Sequence, residues 1–122
     1  MLFDGFEFHF DGNFVEMAKE DLIYLVTKCG GKVSRSIHSF SLSSKTCLVI
    51  MEKKSLAMSA QADRNFKLLK IVTVNSDWIR DSIHGYGLKQ VQDYIVHDIQ
   101  PSEMHILETY NEKMGIWNFP MQ

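Results

Sequence analysis

The sequence predicts a single α/β domain built on a parallel sheet. Short apolar segments alternate along the chain with longer segments whose apolar side chains recur at helical spacing. Strands that are separated by helices pair in parallel, and the helices cover both faces of the sheet. The length of 122 residues, with 45% hydrophobic and 23% charged side chains, suits one domain with its own core.

The first quarter of the chain predicts a strand, a helix and a second strand. Apolar and polar residues alternate in Phe6–Phe10, which predicts the first strand. Apolar side chains within residues 17–29 recur at i, i+3, i+4 and i+7, which predicts an amphipathic helix. Gly30 and Gly31 end this helix, because glycine accepts the left-handed conformation at a helix C-terminus. A brief second strand follows at residues 32–34.

The middle of the chain predicts two more strands on either side of a second helix. Residues 36–45 are rich in serine and form a loop. The continuous apolar run 46–51 is typical of a strand that is buried on both faces. Residues 57–69 form the second helix, and the β-branched residues 71–74 form the fourth strand.

A third helix follows the fourth strand. Asn75 or Ser76 caps its N-terminus, and Asp77 in its first turn is favoured by the helix dipole. The helix ends at Gly85 or Gly87. The predicted order is therefore strand, helix, strand, strand, helix, strand, helix.

The balance of charge excludes strong nucleic-acid binding through a basic face. Residues 1–97 carry 12 basic and 11 acidic side chains, whereas residues 98–122 carry one basic and four acidic ones. No apolar run approaches the roughly 18 residues of a membrane span, and the N-terminus lacks the basic start of a signal peptide. Cys29 and Cys47 indicate free thiols in a reducing compartment, with a disulfide as the less favoured alternative.

The sequence predicts no catalytic residues, no metal site and no cofactor. The five histidines lack paired metal-ligand spacing, and there are only two cysteines. Asp77 and Asp81 share a helix face, but two exposed acids are more often solvated than catalytic. The glycine-rich loops that hold phosphates in nucleotide-binding enzymes are missing.

Four features together resemble the BRCT family. They are the Gly30-Gly31 pair, the buried strand around Val49, the β-branched fourth strand, and Trp78 followed four residues later by Ser82. The resemblance covers about residues 2–97. It implies a four-stranded parallel sheet flanked by three helices, in which the tryptophan locks the last helix against the first. Residues 1–97 would form the domain and 98–122 an acidic tail, partly helical.

The resemblance further implies that residues 1–97 are the C-terminal repeat of a tandem pair. In such pairs the first repeat grips a phosphoserine, and a groove between the repeats takes an aromatic side chain three residues later. The resemblance places three side chains at this aromatic pocket: Met17, Asp77 and Arg80. It also implies that the first and third helices dock the preceding repeat. The apolar side chains expected off the core stripes of these helices are Ile23 and Tyr24 on the first and Ile79 or Ile83 on the third; the alternative is that both helix faces are covered within the domain.

Two of these pocket assignments have an alternative. Met17 lines the aromatic pocket, where a flexible thioether suits a ring, or it simply begins the first helix. Arg80 stands where the family has an apolar residue. It either stacks on an aromatic side chain and attracts an acidic peptide, or it is a solvated charge on the outer helix face.

The phosphate-gripping position of the family departs from its pattern in this chain. Asp11-Gly12 stands where the family has serine or threonine followed by glycine, and a carboxylate repels a phosphate. Lys67 and Lys70 either supply a cation or lie on the exposed face of the second helix. We therefore expect the isolated chain not to hold phosphoserine.

The tail predicts a fourth helix, followed by a short apolar segment. Pro101 breaks the chain, Ser102 caps the helix, and Gly115 ends it. The apolar side chains of the helix follow near-helical spacing: Met104, Leu107, Tyr110 and Met114. Residues 116–120 are unusually apolar for a terminus. We expect this segment to dock on its own domain, and the alternatives are a partner or a second copy of the chain.

The resemblance implies a protein-interaction module of a nuclear DNA-damage response protein. The implied partners are the preceding repeat and phosphorylated repair or checkpoint proteins. The full-length protein would carry a RING domain and act as a ubiquitin ligase with a RING-domain partner. A structural or dimerisation BRCT domain that binds no phosphopeptide is the main alternative, and a small flavodoxin-like enzyme domain is a weaker one.

Overall fold

The computed structural model of the protein describes residues 1–52 and 56–116, without the side chains of residues 56–58. The described part contains one parallel sheet with strand order β2-β1-β3-β4. The strands are β1 (Phe6–Phe10), β2 (Lys32–Val33), β3 (Thr46–Met51) and β4 (Val72–Asn75). The helices are α1 (Lys19–Lys28), α2 (Leu56–Leu69), α3 (Asp77–His84) and α4 (Met104–Lys113). The predicted fold class is confirmed.

The starts of α1 and β4 are among the element boundaries that differ from the predictions. Helix α1 begins at Lys19, because the preceding loop is held in a non-helical conformation with Ala18 at φ −57° and ψ 144°. Strand β4 begins one residue later than predicted, because the N–H of Ile71 bonds to the carbonyl of Asn65 and so belongs to the end of α2.

The two faces of the sheet are covered by different helices. On one face, Phe8 pairs in register with Leu48, which pairs with Val72, and this apolar layer lies under α1 and α3. On the other face, Met51 packs with Ala62 of α2. Burial on both faces explains why β3 is a continuous apolar run.

Trp78 and Ser82 fasten α3 to the segment that follows it. The fully buried indole of Trp78 stacks on Phe3 with ring centroids 5.6 Å apart. Its Nε1 donates to the carbonyl oxygen of Lys89 at 2.8 Å, while the hydroxyl of Ser82 accepts from the N–H of the same residue at 3.2 Å. The four-residue spacing thus lets two side chains satisfy both backbone groups of one residue.

The two glycines after α1 are required for different reasons, a backbone angle and a close contact. Gly30 has φ +96°, in the left-handed region that glycine tolerates. At Gly31, a Cβ atom would lie 2.9 Å from a ring carbon of Phe8 and 3.1 Å from the carbonyl of Val26. The close approach of α1 to β1 therefore leaves no room for a side chain.

The tail packs on the domain through α4. Leu107, Asn111 and Met114 are buried, and the side-chain oxygen of Asn111 accepts from the N–H of Val91 at 3.3 Å. The predicted tail helix is confirmed, but Ser102 does not cap it. A short 3₁₀ turn, Pro101–Glu103, precedes α4.

That turn is capped by Gln100, whose backbone N–H donates to the Glu103 carboxylate at 2.8 Å. Ile116 packs against the main core, and residues 117–120 of the predicted docking segment lie outside the described residues.

Cys29 and Cys47 are free thiols and both are half-buried. In the described ranges, no helix combines the length and hydropathy needed to cross a membrane.

Candidate functional site

The carboxyl ends of β1, β3 and β4 bring three segments together. The loop 11–18 follows β1, Glu52 follows β3, and Ser76 opens α3 directly after β4. Open parallel sheets usually bind ligands at the carboxyl ends of their strands, and this end of the sheet is called the carboxyl edge below. The residues that the sequence analysis assigned to the aromatic pocket lie here.

Glu52 is a buried carboxylate that holds the loop after β1. Its side chain is 1% exposed. Its two oxygens accept from the N–H of Val15 at 3.0 and 3.1 Å, and one of them accepts from the N–H of Glu16 at 3.2 Å. Such charge-assisted bonds offset the cost of burying the carboxylate. Sequence reasoning missed Glu52, although an acidic residue directly after a buried strand is a usable signal.

Arg80 is fastened to the same edge. Its Nη2 contacts the carboxylate of Asp77, lies 3.3 Å from the hydroxyl of Ser76 and lies 3.8 Å from the carboxylate of Glu16. The side chain is only 23% exposed, so Arg80 is not a freely solvated charge. Its Nη1 is buried without a hydrogen-bond partner among the residues that the structure describes.

Met17 lies in the loop rather than in α1. It is half-buried and packs against the main core, while its neighbour Val15 is 76% exposed. The ion pair between Glu16 and Arg80 places this stretch of the loop beside the start of α3. Of the three predicted pocket residues, Asp77 and Arg80 are in contact, and Met17 adjoins a residue that reaches Arg80.

The four residues assigned to the inter-repeat face differ in their exposure. Tyr24 is 59% exposed, with the ammonium group of Lys28 lying 5.4 Å from its ring centroid. Ile23 and Ile83 are half-buried. Ile79 is fully buried, because it faces the core on the same side of α3 as Trp78, and so it cannot belong to an exposed face.

The predicted lysines do not reach the position of Asp11. Helix α2 runs away from the carboxyl edge, so Lys67 and Lys70 lie at the opposite edge of the sheet. Lys67 pairs there with Glu103 at 3.4 Å, which excludes it as a cation beside Asp11. Lys53 and Lys54, which follow Glu52, lie outside the described residues.

The remaining charges at the carboxyl edge are mostly acidic. A groove of about 280 Å³ beside α3 is lined by Asp77, Asp81 and Asp93. The hydroxyl of Tyr94 donates to the carboxylate of Asp81 at 2.8 Å, and burial together with that acidic neighbour raises the pKa of Tyr94 to about 12. Among the described residues of this groove and of Arg80 beside it, three carboxylates stand against one guanidinium, a balance that disfavours a phosphate. No group of three metal-ligating side chains occurs in the described part of the chain.

The fold and this edge define an α/β domain with a four-stranded parallel sheet, locked by a tryptophan–serine pair and lacking the loops of nucleotide-binding enzymes. The BRCT domain family matches residues 1–95, so the chain belongs to the BRCT family. No curated protein matches the chain by sequence.

Solved structures agree on the fold. The C-terminal BRCT domain of human XRCC1 superposes with a TM-score of 0.58 at 20% identity, covering 81% of this chain and 96% of that one. The BRCT domain of the human DNA repair protein REV1 gives 0.55 at 21% identity, covering 77% and 86%. Rad4 BRCT1,2 in complex with a Mdb1 phosphopeptide gives 0.52 at 16% identity, covering 100% and 72%.

Proposed function

We propose that the chain is a non-catalytic protein-interaction module, the second half of a tandem BRCT unit in a nuclear DNA-damage response protein. In this role it contributes the aromatic-pocket side of a phosphopeptide groove, and the preceding repeat grips the phosphate. Within the family the chain resembles the second BRCT repeat of the breast cancer type 1 susceptibility protein, or that of its RING-domain partner. The proposal therefore extends to a full-length RING-type ubiquitin ligase.

The observation that carries the proposal is the loop held by Glu52. The backbone N–H groups of Val15 and Glu16, which could otherwise donate to a bound anion, already donate to the buried carboxylate of Glu52. The same contacts present exposed Val15 and half-buried Met17 beside α3. This edge thus suits an apolar side chain better than a phosphate.

Arg80 supplies the second part of the pocket. Its guanidinium is oriented by Asp77 and Ser76, so little side-chain entropy remains to be lost when a ligand binds. An oriented planar guanidinium stacks well on an aromatic ring. This is how a charged residue can serve where the family has an apolar one.

The test compares phosphoserine-x-x-Phe binding to this chain alone and to the natural segment that also contains the preceding repeat. By fluorescence anisotropy, we expect micromolar binding only for the longer segment. In the longer segment, Arg80→Ala should weaken binding of this peptide about tenfold, or about 1.4 kcal/mol. A peptide that ends in Ala instead of Phe should bind the Arg80→Ala variant and the unchanged segment about equally. Arg64→Ala on α2 is the matched control, because within the described ranges the Arg64 guanidinium hydrogen-bonds to Gln61 of its own helix. Micromolar binding by the isolated chain would sink the proposal.

A structural or dimerisation domain is the second candidate. Its support is the ring of Tyr24 on α1, which is 59% exposed, together with the acidic groove that the described residues form beside α3. Sedimentation equilibrium of the chain distinguishes the two. A dimer that Tyr24→Glu converts to a monomer would favour this candidate over the tandem groove.

A further inference from the structure

A basic cavity lies at the edge of the sheet opposite to the proposed pocket. It measures about 340 Å³ and lies between the amino ends of β3 and β4 and helix α4. This volume is at the lower end of the roughly 300–1,000 Å³ range of ligand pockets. The cavity exists only because the tail packs on the domain, since α4 forms one of its walls.

Three lysines and one histidine, from three segments of the chain, line the cavity. Lys45 precedes β3, Lys70 follows α2, and His105 and Lys113 come from α4. No acidic side chain belongs to the lining in the described part of the chain. In a protein of net charge −2, this is a concentration of positive charge that the composition does not reveal.

Two acids near the cavity, Glu7 and Glu103, are already engaged. The carboxylate of Glu7 accepts from the hydroxyl of Ser44 at 2.6 Å and from the N–H of Ser41 at 2.9 Å. Although burial alone raises the pKa of Glu7, these hydrogen bonds lower it overall, so the group is a satisfied anion. Glu103 pairs with Lys67 rather than with a lysine of the cavity.

Two features of the wall stand out. Thr46 is 3% exposed, and its hydroxyl is buried without a hydrogen-bond partner among the described residues. Lys70 has φ +60°, the left-handed conformation that ends α2, where the N–H of Lys70 bonds to the carbonyl of Phe66 and the N–H of Ile71 bonds to that of Asn65. The Lys70 ammonium donates to the carbonyl of Lys67 at 3.2 Å and retains two further N–H groups.

The rest of the lining is apolar. Leu69, Ile71 and Ile106 contribute side chains, and Leu69 is exposed. On α4 the acidic residues Glu108 and Glu112 form a neighbouring stripe outside the cavity, which repels a long polyanion that would have to cross it. The shape and charge favour a compact anionic side chain next to an apolar one.

We propose that this cavity binds an acidic peptide segment, with a carboxylate or phosphate among the lysines and an adjacent apolar side chain against Leu69 and Ile106. The site is independent of the proposed pocket, which lies at the other edge of the sheet. A nucleic acid is the competing ligand, and the experiment includes it.

The experiment is an NMR titration of the ¹⁵N-labelled chain with acetyl-Leu-Glu-Glu-Leu-amide, its phosphoserine counterpart and a Leu-Gln-Gln-Leu control. Shifts should concentrate at Thr46, Cys47 and Lys113 for the acidic peptides only. Whichever acidic peptide binds more tightly identifies the anion. Protection of Cys47 from alkylation in a Cys29→Ser variant provides a second readout.

Three variants separate binding from folding. Lys113→Glu should weaken binding about tenfold, because it reverses an exposed charge. Lys70→Gly should weaken binding about threefold, because it removes one. Lys70→Gly should at the same time raise Tm, because glycine relieves the left-handed backbone. Tyr86→Gly is the matched control, since Tyr86 has φ +53° and a fully exposed ring, and it should raise Tm without changing affinity.

Three results would overturn the proposal. The first is no shift with either acidic peptide at millimolar concentration. The second is binding that neither Lys113→Glu nor Lys70→Gly weakens. The third is tighter binding at these same residues by a 12-nucleotide single-stranded DNA, which would assign the cavity to nucleic acid.

Discussion

The hydroxyl of Tyr110 links helix α4 of the tail to the sheet through hydrogen bonds. It accepts from the N–H of Val72 at 3.2 Å and lies 3.2 Å from the carbonyl oxygen of Lys70 and 3.3 Å from that of Cys47. One side chain of α4 thereby meets the beginnings of two strands. Tyr110→Phe removes this hydroxyl and leaves the ring in place.

The magnitude follows from the groups that lose a partner. A buried N–H and one carbonyl each lose a hydrogen bond, which costs about 1–3 kcal/mol. For a chain of this length each kcal/mol lowers Tm by roughly 3–5 °C. Thr109→Val is the matched control, because in the part of the chain that the structure describes the Thr109 hydroxyl donates to the carbonyl of His105 within α4. We expect the control to change stability by less than about 0.5 kcal/mol.

The assay is urea denaturation followed by far-UV circular dichroism, repeated between pH 8 and 12. Burial raises the pKa of Tyr110 to about 12, above its ordinary value of 10. A folded-state pKa raised in this way contributes stability that is present below pH 10 and is lost as the pH rises toward 12. Tyr110→Phe should therefore flatten this decline. Equal stability of Tyr110→Phe and Thr109→Val would refute the reasoning.

Three further predictions concern the body of the domain. Glu52→Gln should lower the free energy of unfolding by about 2–3 kcal/mol in urea denaturation, because an amide replaces the charged acceptor of the Val15 N–H. Ser82→Ala should cost about 1–2 kcal/mol and speed hydrogen exchange at the Lys89 N–H that it leaves unpaired. Burial lowers the pKa of His97, so its stability contribution is present above pH 6.5 and is lost as the pH falls; His97→Gln should flatten that decline in thermal melts.

The strands and helices were predictable because their signals are local. Alternation in Phe6–Phe10 and the apolar run Thr46–Met51 gave both strands at their observed bounds. Helix α1 begins two residues later than predicted, because the loop before it is held by Glu52, more than 30 residues away, whose carboxylate accepts from the N–H of Val15. Long-range contacts of this kind leave no periodic trace in the sequence.

The candidate site was predictable only in part, for the same reason. Asp77 and Arg80 follow from their positions on a predicted helix and from the family resemblance. Ile79 was misplaced, because α3 buries consecutive residues at Trp78 and Ile79, so spacing along the helix did not show which of its apolar residues stay outside. The anchoring role of Tyr110 depends on where the tail packs, which periodicity does not determine.

The division of the chain at residue 97 also conceals how charge is distributed. Counted as a segment, residues 98–122 are acidic. Helical periodicity nevertheless places His105, Thr109 and Lys113 four residues apart, on one stripe of α4. Packing then brings that stripe to Lys70 from the body of the domain. A segment with net negative charge therefore completes the basic cavity, which means that net charge per segment is a poor guide to the ligand that a folded face selects.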